Sequence, residues 1–426
     1  MISCSPGWSA ISPTCAAEAG GVPCDESSGA GFTARGWGSS CSSPPLGRTD
    51  RCRSVLAAAC RFALLAMAVG CAGCDLLSPD PPAVKAVWTA PLPGPNAIMG
   101  AHGFDSTALY VRVYGDTTRF VKLDAKTGRL LWVAPQTLIE FGPAKLHVHE
   151  GLLLVAATGG VVAYRTNDGS VAWRRPLPGH LHTVPGIDTK TLYVPDEGAG
   201  AVTALVLASG LIRWRWEDTA SSGSRLTLFA AGVIDSVVYA VGRISGLNAG
   251  GDRGVVLALD AATGRERHRF TTPELRSDYR SVRSDGRGGL LLGNRARSGV
   301  DDLDPSTWSF RWRVSRPRNE VFPVSDLAVR DGILYVGWQD VVAIDVATGR
   351  ELWSRGSRGT TFSTVVCGQQ VVTEHFNLSF FDRATGRLEA FNDWQDGQFP
   401  YSDLVEDGER VYAISENFAY AFPCRR

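Results

Sequence analysis

The chain has 426 residues, and its 43 Lys and Arg balance 43 Asp and Glu. A formal net charge of zero argues against nucleic acid or an acidic membrane as a general partner. Ten cysteines suggest a disulfide-rich protein, but eight lie at or before Cys74, which leaves only Cys367 and Cys424 beyond it.

Residues 1–50 are rich in Gly, Ser, Pro and Cys and lack a periodic apolar pattern. They read as a low-complexity extension or as the product of a start site assigned too far upstream, and we set them aside. Residues 51–74 read as a signal peptide. Arg51, Arg53 and Arg61 form a basic region, and Phe62–Val69 is apolar but too short to span a bilayer. Small residues then precede two cysteines, in Ala68-Val69-Gly70-Cys71 and Cys71-Ala72-Gly73-Cys74. Both resemble a lipobox, so the expected modification is lipidation at Cys71, with Cys74 as the alternative. Cys71 is preferred because it directly follows the apolar run. Residues 75–82 carry Pro79, Pro81 and Pro82 and read as a short stiff tether.

From residue 83 onward a repeat dominates. Its clearest copies are Asp124-Ala-Lys-Thr-Gly128-Arg-Leu-Leu-Trp132 and Asp345-Val-Ala-Thr-Gly349-Arg-Glu-Leu-Trp353. Copies start at Asp124, Arg165, Val206, Asp260, Asp304, Asp345 and Asp382. Eight residues on stand Trp132, Trp173, Trp214, His268, Trp312, Trp353 and Ala390. Two strand-like runs precede most copies, such as Leu334-Tyr335-Val336 and Val341–Asp345. Each unit therefore reads as about four short antiparallel strands. Such a sheet cannot bury both faces alone, and radial packing into a β-propeller covers them.

The motif residues have local reasons. Glycine supplies a left-handed turn between the third and fourth strands, Asp and Thr bond to turn backbone, and Trp docks on the neighbouring blade. Where Trp308 replaces the glycine, the turn is expected to differ. Where His268 and Ala390 replace the tryptophan, docking is expected to be looser. Val411–Ala413 and Phe418–Phe422 begin an eighth unit that lacks a fourth strand, while Ala83–Trp88 is a lone outer strand. The two ends complement each other. The expected architecture is all-β: an eight-bladed propeller over 83–424, closed by the N-terminal strand near Trp88.

The Ala-x-Asp-x-x-Thr-Gly-x-x-x-Trp pattern resembles the repeat of the pyrroloquinoline-quinone-like (PQQ-like) β-propeller family. That family spans quinoprotein dehydrogenases, BamB-like outer-membrane assembly lipoproteins and extracellular sensor modules, so the resemblance specifies fold more than function. Together with the leader, it implies a non-enzymatic, lipid-anchored propeller facing the periplasm, with the outer membrane favoured. The implied partners are proteins, including components of outer-membrane β-barrel assembly. A sensor or binding propeller is the alternative and a quinoprotein the third. The adjacent cysteines of the alcohol dehydrogenases with this repeat are absent here, so no cofactor is expected.

Four other features bear on function and closure. His147 and His149 alternate on one strand, and His180 and His182 repeat the spacing. Four imidazoles near an axis would suit a metal, but no acidic or cysteine companion is fixed by spacing, and Glu150 should point to the opposite face, so no metal is expected. The Gly-rich stretch 242–254 lies between strands and reads as a lengthened hairpin loop rather than a phosphate cradle. The arginine-rich stretches 276–297 and 311–318 read as a solvated rim. In an exported chain Cys367 and Cys424 are candidates for a disulfide near the closure, with two separate buried thiols as the other reading.

Overall fold

A computed structural model describes residues 81–425, apart from 94–101, 114–117, 135–145, 158, 180–182, 220–223, 247–250, 317–326, 339, 357–362, 375–376 and 394–402. The described chain forms eight sheets of four strands, each antiparallel and paired in sequence order. The first strands line the axis and touch the first strands of neighbouring blades, including Val405–Glu406 of blade eight against His102–Phe104 of blade one. Among the described residues the helical content is one short turn at Arg295–Arg297. The architecture is an eight-bladed β-propeller.

Blade eight is closed from both chain ends. Its first three strands are Val405–Glu406, Arg410–Ile414 and Phe418–Pro423, and its fourth is Trp88–Pro91. The closing strand is shorter than 83–88 suggested and begins at the tryptophan. Residues before it serve blade seven instead: Ala83 bridges Phe391 in parallel, and Val84 N donates to the Phe391 carbonyl. The N-terminal segment thus grips two blades.

The repeated motif builds one device several times. In the Asp345 copy the carboxylate accepts from the Thr348 amide and hydroxyl at 2.8 and 2.7 Å. Gly349, at φ 70°, donates its amide to the Asp345 carbonyl. The Thr348 hydroxyl holds the Asp345 carboxyl below its ordinary range. Onto this turn the previous blade lays its tryptophan. Trp312 packs where a β-carbon on Gly349 would sit, and its Nε1 donates to the Val346 carbonyl at 2.8 Å. The same indole-to-carbonyl bond recurs from Trp88, Trp132, Trp173, Trp214 and Trp353. Glycine is required here for two reasons: the backbone is left-handed, and the indole leaves no room for a side chain.

Two interfaces depart from this device. Between blades four and five, His268 stands for the tryptophan and Trp308 for the glycine. The backbone of the turn is kept, but its side-chain bonding differs: the Asp304 carboxylate accepts from the Ser306 amide and hydroxyl instead of from the threonine one position further on. Trp308 adopts φ 54° and donates its amide to the Asp304 carbonyl at 2.7 Å, as a glycine would. A left-handed tryptophan costs on the order of 1–2 kcal/mol. Its ring then turns back across the interface and stacks on His268 at 4.0 Å between centroids. The aromatic group has moved from one blade to the other, so this junction is filled rather than loose. His268→Trp alone should destabilise by placing two indoles in one space, and Trp308→Gly alone by emptying it. The double variant should recover most of the loss, with a coupling of about 1–3 kcal/mol in denaturation midpoints. Additive losses would refute the exchange.

Between blades seven and eight, Ala390 stands for the tryptophan. Cys424 occupies the place after Pro423 that Ala125 holds in blade one, and it is bonded to Cys367, with Cα atoms 5.9 Å apart. Arg425 adds ion pairs to Asp382 and Glu389 of blade seven. A covalent bond and a charged clamp therefore stand where the other junctions place an indole.

Candidate functional site

The strand directions give the ring two unlike ends. One end carries the tight turns, including the Asp-Thr-Gly turns. The other carries all links between blades and the second-to-third-strand loops. The lengthened hairpin of blade four, Val237–Ser245 with Arg253–Asp260, projects at this second end. Residues 247–250 of its loop lie outside the described residues.

The axis holds a cavity of about 480 Å³. Its walls are mostly aliphatic side chains of the first strands, and its polar groups are Ser281, Arg283, Arg330, Thr364, Asp403 and Glu406. Arg283 Nη1 is engaged with the Leu327 carbonyl at 2.5 Å. Among the described residues, no aromatic ring lines the cavity. Among the described residues, no three His, Cys, Asp or Glu side chains gather where they could hold a metal ion.

His147 and His149 are half-buried on Leu146–His149, the first strand of blade two. His149 Nε2 lies 3.9 Å from Glu150 Oε1. Alternation failed for Glu150 because the strand has already ended there: Glu150 and Gly151 take φ 44° and 77° in a turn, which swings the carboxylate back. His180 and His182 lie outside the described residues, as do Cys71, Cys74 and the whole leader and tether up to residue 80.

The arginine-rich stretches are less basic than they read. Arg280 pairs with Asp278 at 2.8 Å, Arg311 with Asp285 at 2.7 Å, and Arg316 with Glu351 at 2.9 Å. Arg313 reaches Glu274 and Asp301 together. Arg280 also stacks on Phe229, 3.4 Å from the ring centroid. Burial is the main cause that lowers its pKa. The partner carboxylates come from within the stretches, as Asp278 and Asp285 do, and from neighbouring segments, as Glu274, Asp301 and Glu351 do, so the arginines are largely paired.

A second recurring constellation was not anticipated. Tyr110, Tyr193 and Tyr412 donate to Asp105, Asp188 and Asp407 at 2.6, 2.7 and 2.7 Å. Burial and the carboxylate push all three phenols up, Tyr193 to about 12. Each ring also tilts against its blade's own tryptophan. The signal was an Asp five residues before each Tyr. Like the tryptophans, these residues hold blades together.

The fold and these junctions define a PQQ-like repeat propeller. The family model described as "Outer membrane protein assembly factor BamB" matches residues 136–287 and 296–422, and the chain belongs to this family. No curated protein matches the sequence. Among solved structures, BamB from Moraxella catarrhalis is similar at 14% identity and a TM-score of 0.60, covering 80% of this chain and 98% of that one. A quinohemoprotein alcohol dehydrogenase from Comamonas testosteroni matches at 14% identity and a TM-score of 0.60, covering 80% of this chain and 77% of that one. At these identities the structures speak for the fold alone.

Proposed function

We propose that the protein is a non-catalytic, lipid-anchored scaffold on the periplasmic side of the outer membrane. It binds protein components of outer-membrane β-barrel assembly. The observation that carries this reading is the family match across both halves of the ring. It is supported by the engagement of the recurring Asp, Thr, Gly, Tyr and Trp residues in turns and blade junctions. Crosslinked pull-down from membranes tests the partner. Recovery of barrel-assembly components is expected, and reproducible recovery of a different partner would redirect the reading to a sensor or binding propeller. Acyl labelling tests the anchor, and labelling that survives Cys71→Ser with Cys74→Ser would remove it.

A quinoprotein dehydrogenase is the second reading, favoured by the fold shared with the alcohol dehydrogenase. Reconstitution with quinone and Ca²⁺, followed by alcohol-dependent dye reduction, would establish it.

A further inference from the structure

Blade five breaks the propeller's pattern at one more point. In four blades a tyrosine on the second strand pairs with an alanine on the third: Tyr193 with Ala204, Tyr239 with Ala258, Tyr335 with Ala343 and Tyr412 with Ala421. In blade five the pair is Leu291 with Asp302. A carboxylate has entered the layer between blades, at 1% exposure, and its Oδ1 has no hydrogen-bond partner.

A second carboxylate lies beside it. Asp285, 4% exposed, sits in the turn between the first two strands of the same blade, Tyr279–Ser284 and Leu290–Asn294. A β-carbon on Gly289 would collide at once with Asp285 Oδ2, Arg311 Nη1 and Asp302 Oδ1, so these three groups surround one small space. Asp285 is fully engaged. Its Oδ1 accepts from the amides of Arg287 and Gly289, both at 2.6 Å, and its Oδ2 accepts from Arg311 at 2.7 Å. The other Arg311 nitrogen donates to Asp304. One guanidinium thus serves Asp285 and Asp304 and leaves Asp302 without a direct bond.

We propose that this cluster is a proton-dependent latch, in which the buried Asp302 carboxyl takes up a proton in mildly acidic solution and tightens blade five against blade six. The charged groups around it are Asp285 and Arg287 from the turn, Asp304 at the end of its own strand, and Arg311 from the outer strand. Blade six meets this side with the apolar Leu334, Ile344 and Val346, packed around Leu291. Protonation removes the repulsion between Asp302 and Asp285 and gives Asp302 an O–H donor that the cluster's acceptors lack.

Burial first, and then Asp285, push the Asp302 carboxyl up to about 6. The sign follows. A carboxyl raised in the fold keeps a proton there that the unfolded chain has already released. The Asp302 contribution to stability is therefore fully present below about pH 4, falls as pH rises toward about 6, and is lost above that. The shift amounts to roughly a hundredfold in the unfolding equilibrium, or about 3 kcal/mol.

The test compares urea denaturation of the wild-type chain, Asp302→Ala and Asp302→Asn across about pH 4.5 to 7.5. Ala restores the residue of four other blades. Both variants should be more stable than wild type at the upper pH and should lose the Asp302 part of the slope. Profiles parallel to wild type would overturn the latch. Carboxyl carbon NMR of the wild-type chain reads the same group even if a variant fails to fold. A titration near pH 6 is expected for Asp302, and one at or below about pH 4 would overturn it.

Discussion

Removing the Cys367–Cys424 bond should cost the folded ring a large share of its stability. The two residues are 57 apart in sequence, and the loop-closure relation for that span gives roughly 4 kcal/mol. The local setting makes the loss hard to absorb. This junction has Ala390 where six others have an indole bonded to a carbonyl. Without the disulfide, the last strand is tied to blade seven by the Arg425 ion pairs and the Gln369 amide bond to the Arg425 carbonyl, and the N-terminal segment by the parallel bridge at Ala83. The double variant Cys367→Ser, Cys424→Ser should therefore unfold at markedly lower denaturant than wild type. Reductant should lower wild type toward the variant and leave the variant unchanged. Identical curves with and without reductant, for a bond confirmed by mass, would show that the N-terminal strand alone closes the ring.

The architecture was legible because the propeller repeats its local chemistry. Asp, Thr, Gly and Trp at fixed spacing each answer a local demand, and counting copies with both ends reached eight blades. What escaped were effects that cross from one blade to the next. His268 and Trp308 each look like decay when read in their own copy, and only the fold shows that they face each other. The Asp-to-Tyr spacing of five was present in the sequence, yet its meaning depends on a turn that brings the carboxylate back to the phenol. Glu150 defeated the alternation rule because a strand ended one residue earlier than alternation assumes. The end of the ring that carries the links between blades was least legible. Its links vary in length and composition, and no repeated constraint makes one copy explain another.

The tryptophan junctions should behave as local units, and Trp353→Ala is the sharpest test. Trp353 is 7% exposed, donates Nε1 to the Arg383 carbonyl at 3.1 Å, and packs where a β-carbon on Gly386 would lie. Its ring also lies 6.0 Å from that of Tyr335, centroid to centroid. Truncation empties a space lined by two blades and leaves the Arg383 carbonyl with only the longer bond from the Tyr335 hydroxyl, at 3.5 Å. The expected loss is about 3–5 kcal/mol. Trp353→Phe should lose less, since it keeps most of the apolar contact and forfeits the hydrogen bond. In each blade the inner strands are tied by their own ladders, so the damage should concentrate where blades six and seven meet. Amide exchange should accelerate in Glu351–Gly356 and around Asp382–Gly386, and change little in blades two and three. Uniform acceleration around the ring would mean that the closed circle opens as one body. The single tryptophan would then report the integrity of the whole closure rather than of its own junction.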